Sequence, residues 1–162
     1  MEPKIQLASV EQKDTIAIMM EAYLHELSAY REIAIGSTTV AEYPYFRLYW
    51  IEPERHPFLI KYAGEVAGFA LIRQIRLSPL ACTSVAEFYI SPGKRRLGIG
   101  RTAVQLLWKR FPGEWELQVI KNNKPGLEFW RSCIHTYAST WRVEEIQAQD
   151  GKRFFYHFEI KP

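Results

Sequence analysis

Residues 91–104, SPGKRRLGIGRTAV, place three consecutive basic residues shortly before two closely spaced glycines. An apolar run ends at Ile90, immediately before this stretch, and the spacing of apolar residues after it predicts a helix over residues 98–111. Backbone N–H groups at a glycine-rich helix start can converge on one point, where the helix dipole favours negative charge. Glycine at both 98 and 100 is expected to keep side chains out of the way of an anion there. The stretch therefore predicts a binding site for an anion, most commonly a phosphate.

Two other interpretations of the same glycines are weaker. Residues 98–103, GIGRTA, also match the dinucleotide fingerprint G-x-G-x-x-A, which requires an acidic residue after the next strand and several further βα units. Here the next predicted strand, 115–120, is followed by Lys-Asn-Asn, which includes no acidic residue, so the dinucleotide fingerprint is incomplete. The remaining alternative is a solvent-exposed basic loop with turn glycines, as most charged runs are.

Changes in hydrophobic period predict a mixed α/β protein. The first half is predicted to hold a strand at 5–8, a helix from a capping box at Ser9 to about residue 30, an unclear segment at 31–56 with one short or irregular helix, and strands at 57–62, 66–76 and 80–90. The second half is predicted to hold a helix at 98–111, a strand at 115–120, a helix at 124–134, and strands at 141–146 and 154–160. An Asp150-Gly151 hairpin is expected to join the last two strands. Hairpins outnumber βαβ units, so the central sheet is expected to be mostly antiparallel, with helices on both faces. With no repeat or linker, residues 1–162 are expected to form a single domain.

Composition limits the classes of function. The formal charge of +3 permits an anionic ligand and does not indicate a nucleic-acid partner. The two cysteines lack metal-ligand spacing, and no apolar run approaches the roughly 18 residues that span a bilayer. We therefore expect a soluble cytoplasmic protein, without a signal peptide, a membrane partner or a bound metal.

Residues 95–100, RRLGIG, have the form (Gln/Arg)-x-x-Gly-x-(Gly/Ala) between a strand and a helix. Residues 88–92, FYISP, supply the apolar strand end and the proline that commonly precede this loop, and the later helix carries Asn123, Gly126, Phe129 and Trp130. Over roughly 83–135 the chain resembles the GNAT acyltransferase superfamily. In that helix Gly126 stands where the family often has Ala, and Trp130 where it often has Tyr.

The resemblance implies acetyl-coenzyme A as cofactor. It implies that the cofactor lies between a splayed pair of strands, with its pantetheine arm beside the backbone of Phe88 and Ile90, and that a strand-end N–H polarises the thioester. The remaining residues expected to bind the cofactor are Arg95, Arg96, Leu97, Gly98, Ile99, Gly100, Arg101, Thr102, Asn123, Phe129 and Trp130.

Two catalytic residues are predicted from the same resemblance. Glu87 is the only carboxylate on the strand 83–90 and is the first candidate for a general base, although a surface role would also fit. Trp130 cannot act as an acid near neutral pH. Either Tyr89 or Tyr137 protonates the departing thiolate, with Tyr89 the first candidate, or the thiolate leaves without an acid. Core packing on the last helix is the favoured interpretation of Trp130.

Other polar residues are weaker candidates. Glu21, His25 and Glu26 on the first helix are further candidates for the base, and Cys133 is expected to be a buried structural thiol.

The resemblance predicts an N-acetyltransferase that moves an acetyl group to an amine by direct attack, without a covalent enzyme intermediate. The alternative is a non-catalytic acyl-coenzyme A sensor or interaction module on the same fold. The acceptor is expected to be a small-molecule or peptide amine, and the protein a monomer or homodimer. The aromatic and acidic residues expected near the acceptor are Tyr23, Tyr30, Tyr43, Tyr45, Phe46, Tyr49, Trp50, Glu26, Glu32 and Glu42. The aromatic residues among them suit an ordinary core equally well.

Overall fold

A computed structural model describes residues 1–31, 39–77 and 80–162 of the chain. Within them, the strands are β1 Lys4–Leu7, β2 Arg55–Tyr62, β3 Glu65–Leu77, β4 Leu80–Ile90, β5 Gly113–Ile120, β6 Thr140–Ala148 and β7 Gly151–Ile160. The α-helices are α1 Lys13–Ser28, α2 Ile99–Arg110 and α3 Lys124–Tyr137, and short 3-10 helices span Val10–Gln12, Phe46–Trp50 and Pro92–Lys94.

The strands form one sheet in the order β1-β2-β3-β4-β5-β7-β6. Every neighbouring pair is antiparallel except β4 and β5, which run parallel. The parallel pair is bridged by the crossover helix α2, as the connection between two parallel strands requires. This arrangement confirms the predicted mixed, mostly antiparallel sheet.

Two apolar clusters place helices on opposite faces of the sheet. Helices α2 and α3 cover one face, where Trp108, Trp115 and Phe158 pack together. Helix α1 and the 3-10 helix Phe46–Trp50 cover the other face over β2, β3 and the end of β4. Because side chains alternate along a strand, residues of β4 divide between the two faces: Phe88 packs with α3, while Glu87 and Tyr89 lie on the α1 side.

The predicted elements are confirmed in type, and their ends differ by a few residues. The capping box is present, since the Ser9 N–H donates to Gln12 Oε1 at 2.9 Å, but it begins the 3-10 turn that leads into α1. The predicted hairpin at Asp150-Gly151 is shifted by one residue, because Gly151 pairs with Ala148 and the turn consists of Gln149 and Asp150.

The unclear segment 31–56 contains the 3-10 helix Phe46–Trp50 and the start of β2. Trp50 anchors it to the N-terminal strand, because its Nε1 donates to the carbonyls of Ala8 and Ser9 at 3.1 Å. Residues 32–38, which include the predicted acceptor-side Glu32, lie outside the described residues.

Candidate active site

The parallel strands β4 and β5 separate towards their carboxyl ends. They pair only at Thr83 with Trp115 and at Ser84 with Glu116, although β4 continues to Ile90 and β5 to Ile120. The carboxyl halves of the two strands therefore border a gap in the sheet, as the splayed pair predicted from sequence requires.

The backbone of β4 presents polar groups to this gap. The Ser91 N–H donates to the Ala67 carbonyl at 2.8 Å, so Ser91 bonds to β3. In an antiparallel pair, successive residues point their N–H and C=O groups to alternate sides. The polar groups of Ile90 and Phe88 therefore point away from β3 and towards the gap. The Ile90 carbonyl accepts from Arg95 Nε there, and the Ile90 N–H and the Phe88 carbonyl can pair with an extended ligand.

The loop after β4 ends in a backbone turn that only glycine adopts easily. Gly98 caps α2 at φ +78°, and no atom lies within 4 Å of the position that a Cβ would occupy there. Arg96 also has a positive φ, of 62°. The loop thus leaves open space at the N-terminus of α2, where free N–H groups and the helix dipole attract an anion. This geometry fits a coenzyme A pyrophosphate.

The second glycine of the motif is required for helix packing. A Cβ on Gly100 would lie 3.1 Å from Cε1 of Phe129, a residue of α3. The sequence predicted that both glycines leave room for the anion, whereas the structure shows that only Gly98 lies beside open space. Gly100 permits α2 and α3 to approach each other.

Arg95, the first basic residue of the motif, holds the end of β4 to α1. Its Nε donates to the Ile90 carbonyl at 2.8 Å, and its Nη2 lies 3.0 Å from both carboxylate oxygens of Glu26. Its guanidinium also stacks over the ring of Tyr89 at 5.5 Å. Arg95 was predicted as a phosphate ligand, and in this structure its donors are directed to protein groups.

The other predicted cofactor residues take varied positions. Arg101 donates to Tyr137, Ser132 and Thr136 on α3, while Arg96 and Leu97 are exposed at the loop tip. Ile99 is buried, and the Thr102 N–H donates to the Gly98 carbonyl at 3.1 Å in the first turn of α2. Of the side chains in this loop, Arg96 is the cation most available to a phosphate.

Asn123 and an aromatic cluster border the gap on the α3 side. The Asn123 side chain accepts from the Gly126 N–H at 3.0 Å and so caps α3. The cluster consists of Phe88, Phe129 and Trp130, with ring centroids 5.0 to 5.7 Å apart. Trp130 packs edge-on against Phe88, as the core-packing interpretation expected.

Glu87 occupies the opposite, α1-side wall of the gap. Its Oε2 accepts a hydrogen bond from the Tyr23 hydroxyl at 3.0 Å, across 64 positions of sequence. Burial raises the pKa of Glu87 to about 7, against the lowering effects of that hydrogen bond and of Arg153 and Arg31. A carboxyl with a pKa near neutrality can take up and release a proton at physiological pH.

Three tyrosines surround this carboxyl. Burial raises the pKa of Tyr23 well above its usual value, and the negative charge of Glu87 adds to the effect. Burial likewise raises the pKa of Tyr43, and that of Tyr49 to about 12, with Glu87 contributing to both. The Tyr49 hydroxyl is buried and has no hydrogen-bond partner among the described residues. These tyrosines were predicted only as acceptor-side aromatics, because no local spacing connects them to residue 87.

The other catalytic candidates predicted from sequence contact protein groups other than Glu87. Tyr89 is 5% exposed, and burial raises its pKa; its ring contacts Tyr23 and Phe69. Glu21 accepts from the Val40 N–H, and Glu26 pairs with Arg95.

His25 is exposed, and Cys133 is fully buried, as expected for a structural thiol.

A further cluster, at the β6–β7 turn, was not predicted. The buried Asp150 accepts from Arg153 through Nε at 3.2 Å and Nη2 at 2.6 Å, and Arg31 Nε lies 3.3 Å from the same carboxylate. Asp150 and Arg153 are three positions apart in a turn, a spacing that could have indicated a local ion pair. The approach of Arg31, which follows α1, depends on the fold.

Comparison with known proteins agrees with this geometry. Residues 20–133 match the family model described as "Acetyltransferase (GNAT) family", and the chain belongs to that family. No match was found among the curated proteins. In the described residues, no helix is long and apolar enough to cross a membrane, and no group of acidic, histidine or cysteine side chains could hold a metal ion.

Solved structures share the fold at low identity. A GCN5-related N-acetyltransferase from Kribbella flavida superposes with a TM-score of 0.72 at 15% identity, covering 98% of each chain. A GNAT-family acetyltransferase from Streptococcus agalactiae gives 0.70 at 15% identity, covering 99% of this chain and 96% of that one. A Vibrio cholerae spermidine N-acetyltransferase, solved with coenzyme A and spermine, gives 0.68 at 13% identity, with 98% and 96% covered.

Proposed function

We propose that this chain, as one domain over residues 1–162, is an N-acetyltransferase that transfers the acetyl group of acetyl-coenzyme A to an amine. The observation that carries the proposal is the position of Glu87: a carboxyl with a pKa of about 7 lies on the wall of the gap between β4 and β5. Family membership supports acetyl transfer as the reaction class.

The cofactor has a place in this arrangement. Bound acetyl-coenzyme A supplies an acetyl group as a thioester. The N–H groups at the start of α2, with Gly98 at φ +78°, form the phosphate site, and Arg96 is the exposed cation beside it. The Phe88 carbonyl and the Ile90 N–H bind the pantetheine amides, because the Ile90 carbonyl already accepts from Arg95 Nε.

Glu87 removes the proton from the acceptor. An amine is protonated near neutral pH and cannot attack until it loses a proton, so the site needs a base that is ionised at the same pH. The Tyr23 hydrogen bond orients the carboxylate and lowers its pKa, while burial raises it. The two effects together place the pKa at a value suited to a general base.

A non-catalytic acyl-coenzyme A binder is the second candidate function. Trp130 packs against Phe88 and has no ionisable group to protonate a departing thiolate. Tyr89 remains the proposed acid, and its side chain, which packs on the α1 side of the sheet, would have to reach the thiol from there.

Release of free thiol from acetyl-coenzyme A tests the two functions against each other. We expect amine-dependent thiol release that disappears in Glu87→Gln, while calorimetric binding of coenzyme A is unchanged in that variant. Cofactor binding without thiol release on a panel of amines, amino acids, polyamines and peptides would support the binder. Absence of cofactor binding at millimolar concentration would contradict both functions.

A further inference from the structure

Strand β6 lies at one edge of the sheet, with β7 as its neighbour among the strands that the structure describes. Residues 140–145 of this strand are all exposed, and two of them are the large apolar residues Trp141 and Val143, at 45% and 41% exposure. Its 9 residues make it longer than the typical strand of about five to six residues. An edge strand of this length offers a row of backbone groups to which another strand can bond.

The hydrogen bonds of β7 show which residues of β6 point their backbone groups outward. The Lys121 N–H donates to the Lys152 carbonyl at 3.0 Å, so the backbone groups of Lys152 point to β5. Lys152 is opposite Gln147, and these two residues therefore form a pair without mutual hydrogen bonds. Gln147 points its N–H and C=O away from β7, and because successive residues alternate, Glu145, Val143 and Trp141 do the same.

The side chains of β6 divide between the two faces of the sheet. Val143 is opposite Tyr156, a member of the apolar cluster under α2 and α3, so Val143 lies on that face. Arg142 and Glu144 flank Val143 and point to the other face. Two exposed residues of opposite charge are thus placed symmetrically about an exposed apolar residue whose backbone groups point outward.

This sequence is complementary to itself when a second β6 strand pairs with it in antiparallel direction, centred on Val143. Val143 then lies opposite Val143 of the second copy, and the two residues exchange both backbone hydrogen bonds. Arg142 lies opposite Glu144 of the second copy, and Glu144 opposite Arg142, in pairs whose side chains approach closely. Moving the centre by one residue in either direction would place Arg142 or Glu144 opposite its own copy. The charges on β6 therefore favour this register over its neighbours.

We propose that the protein forms a two-fold symmetric homodimer in which the β6 strands of two copies pair about Val143 and join the two sheets into one. The flanking pairs, Thr140 with Ile146 and Trp141 with Glu145, bring no like charges together. Each copy uses its β6 edge in the contact, so this interface closes at two subunits. Strand β7 lies between β6 and β5, so the dimer leaves the gap between β4 and β5 accessible.

Charge reversal tests the register, with sedimentation velocity at increasing protein concentration as the measurement. We expect a wild-type dimer with a Kd of about 1–100 µM, because one pair of strands buries less surface than a standard interface. Arg142→Glu and Glu144→Arg each place like charges opposite each other and should weaken the dimer about tenfold or more. The double variant, Arg142→Glu with Glu144→Arg, restores opposite charges and should return the Kd to within about threefold of wild type. Arg47→Glu, an exposed residue outside β6, is the control for the change in net charge and should leave the Kd unchanged.

The backbone contact has its own pair of variants. Val143→Pro removes an N–H that points away from β7, so it should abolish the dimer while the hydrogen bonds to β7 remain. Val143→Thr keeps the N–H and the β-branched shape and should still form the dimer. The melting temperature shows whether each variant folds, and if Val143→Pro does not, the charge-reversal series decides.

Three results would overturn the proposal. The first is a monomer at every concentration up to about 500 µM, which would leave the edge for a strand of another protein. The second is a dimer that persists unchanged in Arg142→Glu and Glu144→Arg, which would place the interface on another surface. The third is a double variant that fails to recover the dimer although it folds.

Discussion

The cofactor loop and the surroundings of Glu87 are built in different ways. The loop uses neighbouring residues: Pro92, Gly98 and the start of α2 lie within a short stretch, and its expected contacts are backbone N–H groups. Glu87 instead depends on Tyr23 and Arg153, which approach from α1 and β7. Because the loop binds through local backbone, it should tolerate substitutions except where the chain must turn. The pKa of Glu87, in contrast, should change when Tyr23 or Arg153 is replaced.

The largest effect should come from removing the carboxylate. In Glu87→Gln we expect kcat to fall about 100-fold or more, because the amine loses its proton acceptor while the shape of the site is kept. Coenzyme A affinity, which depends on the loop, should change less than about twofold. Steady-state kinetics and calorimetry give the two values. A parallel loss of both would show that the two regions are not independent.

Stability against pH checks the protonation of Glu87 without any substrate. The pKa of about 7 in the folded protein is above the ordinary 4.5, so the folded state holds an extra proton between these values. The contribution of Glu87 to the stability of the folded protein should therefore decrease as pH rises from about 4.5 to 7 and then level off. Gln does not ionise, so the melting temperature of Glu87→Gln relative to wild type should increase across that window. A constant difference would show that Glu87 has an ordinary pKa.

The next largest effect is expected at Gly98. Gly98→Val forces a β-branched residue to φ +78° and adds a side chain to the open space at the start of α2. We expect coenzyme A to bind about 10- to 100-fold more weakly, on the order of 1–3 kcal/mol. The control is Gly93→Ala in the same loop, where a Cβ also meets open space and φ is not positive. Equal affinities for the two variants would mean that the loop does not hold the phosphates.

The difference between the regions also determines what sequence could predict. Element types, the sheet class and the helix-start glycine follow from local periodicity and spacing, so they were predicted correctly. The separate role of Gly100 was not, because Phe129 reaches it from α3. Arg95 was interpreted by its place in the motif, and its contacts with Glu26 and Ile90 appear only once α1 packs beside β4.

Tyr23 should have a smaller effect, visible mainly against pH. Its hydrogen bond lowers the pKa of Glu87, so in Tyr23→Phe the pKa of the carboxyl rises. The rising limb of the pH–rate profile should then shift upward by about one unit or less, with the rate at high pH largely kept. Tyr45→Phe, an exposed position on the same side of the sheet, is the control. A downward shift or no shift would mean that the Tyr23 hydrogen bond does not lower the pKa of the catalytic carboxyl.

The smallest effect, and the one that connects the two regions, is expected at Arg95. Its guanidinium joins the cofactor strand to α1 through Ile90 and Glu26, and both partners of the ion pair are 39% exposed. Such exposed pairs contribute about 0–1 kcal/mol, so Arg95→Ala should lower the melting temperature slightly and weaken coenzyme A binding less than about threefold. Arg95→Lys keeps the charge but loses the fork that reaches two partners. If Arg95 acts through these contacts, Lys should restore neither stability nor affinity. If it acts as a phosphate cation, Lys should restore affinity, and the defect of Arg95→Ala should diminish at high salt.

Arg96→Ala supplies the comparison, because Arg96 is exposed at the loop tip. We expect its binding defect to be larger than that of Arg95→Ala and to depend on salt. The reverse ranking, measured by calorimetry at two ionic strengths, would place Arg95 in the cofactor site.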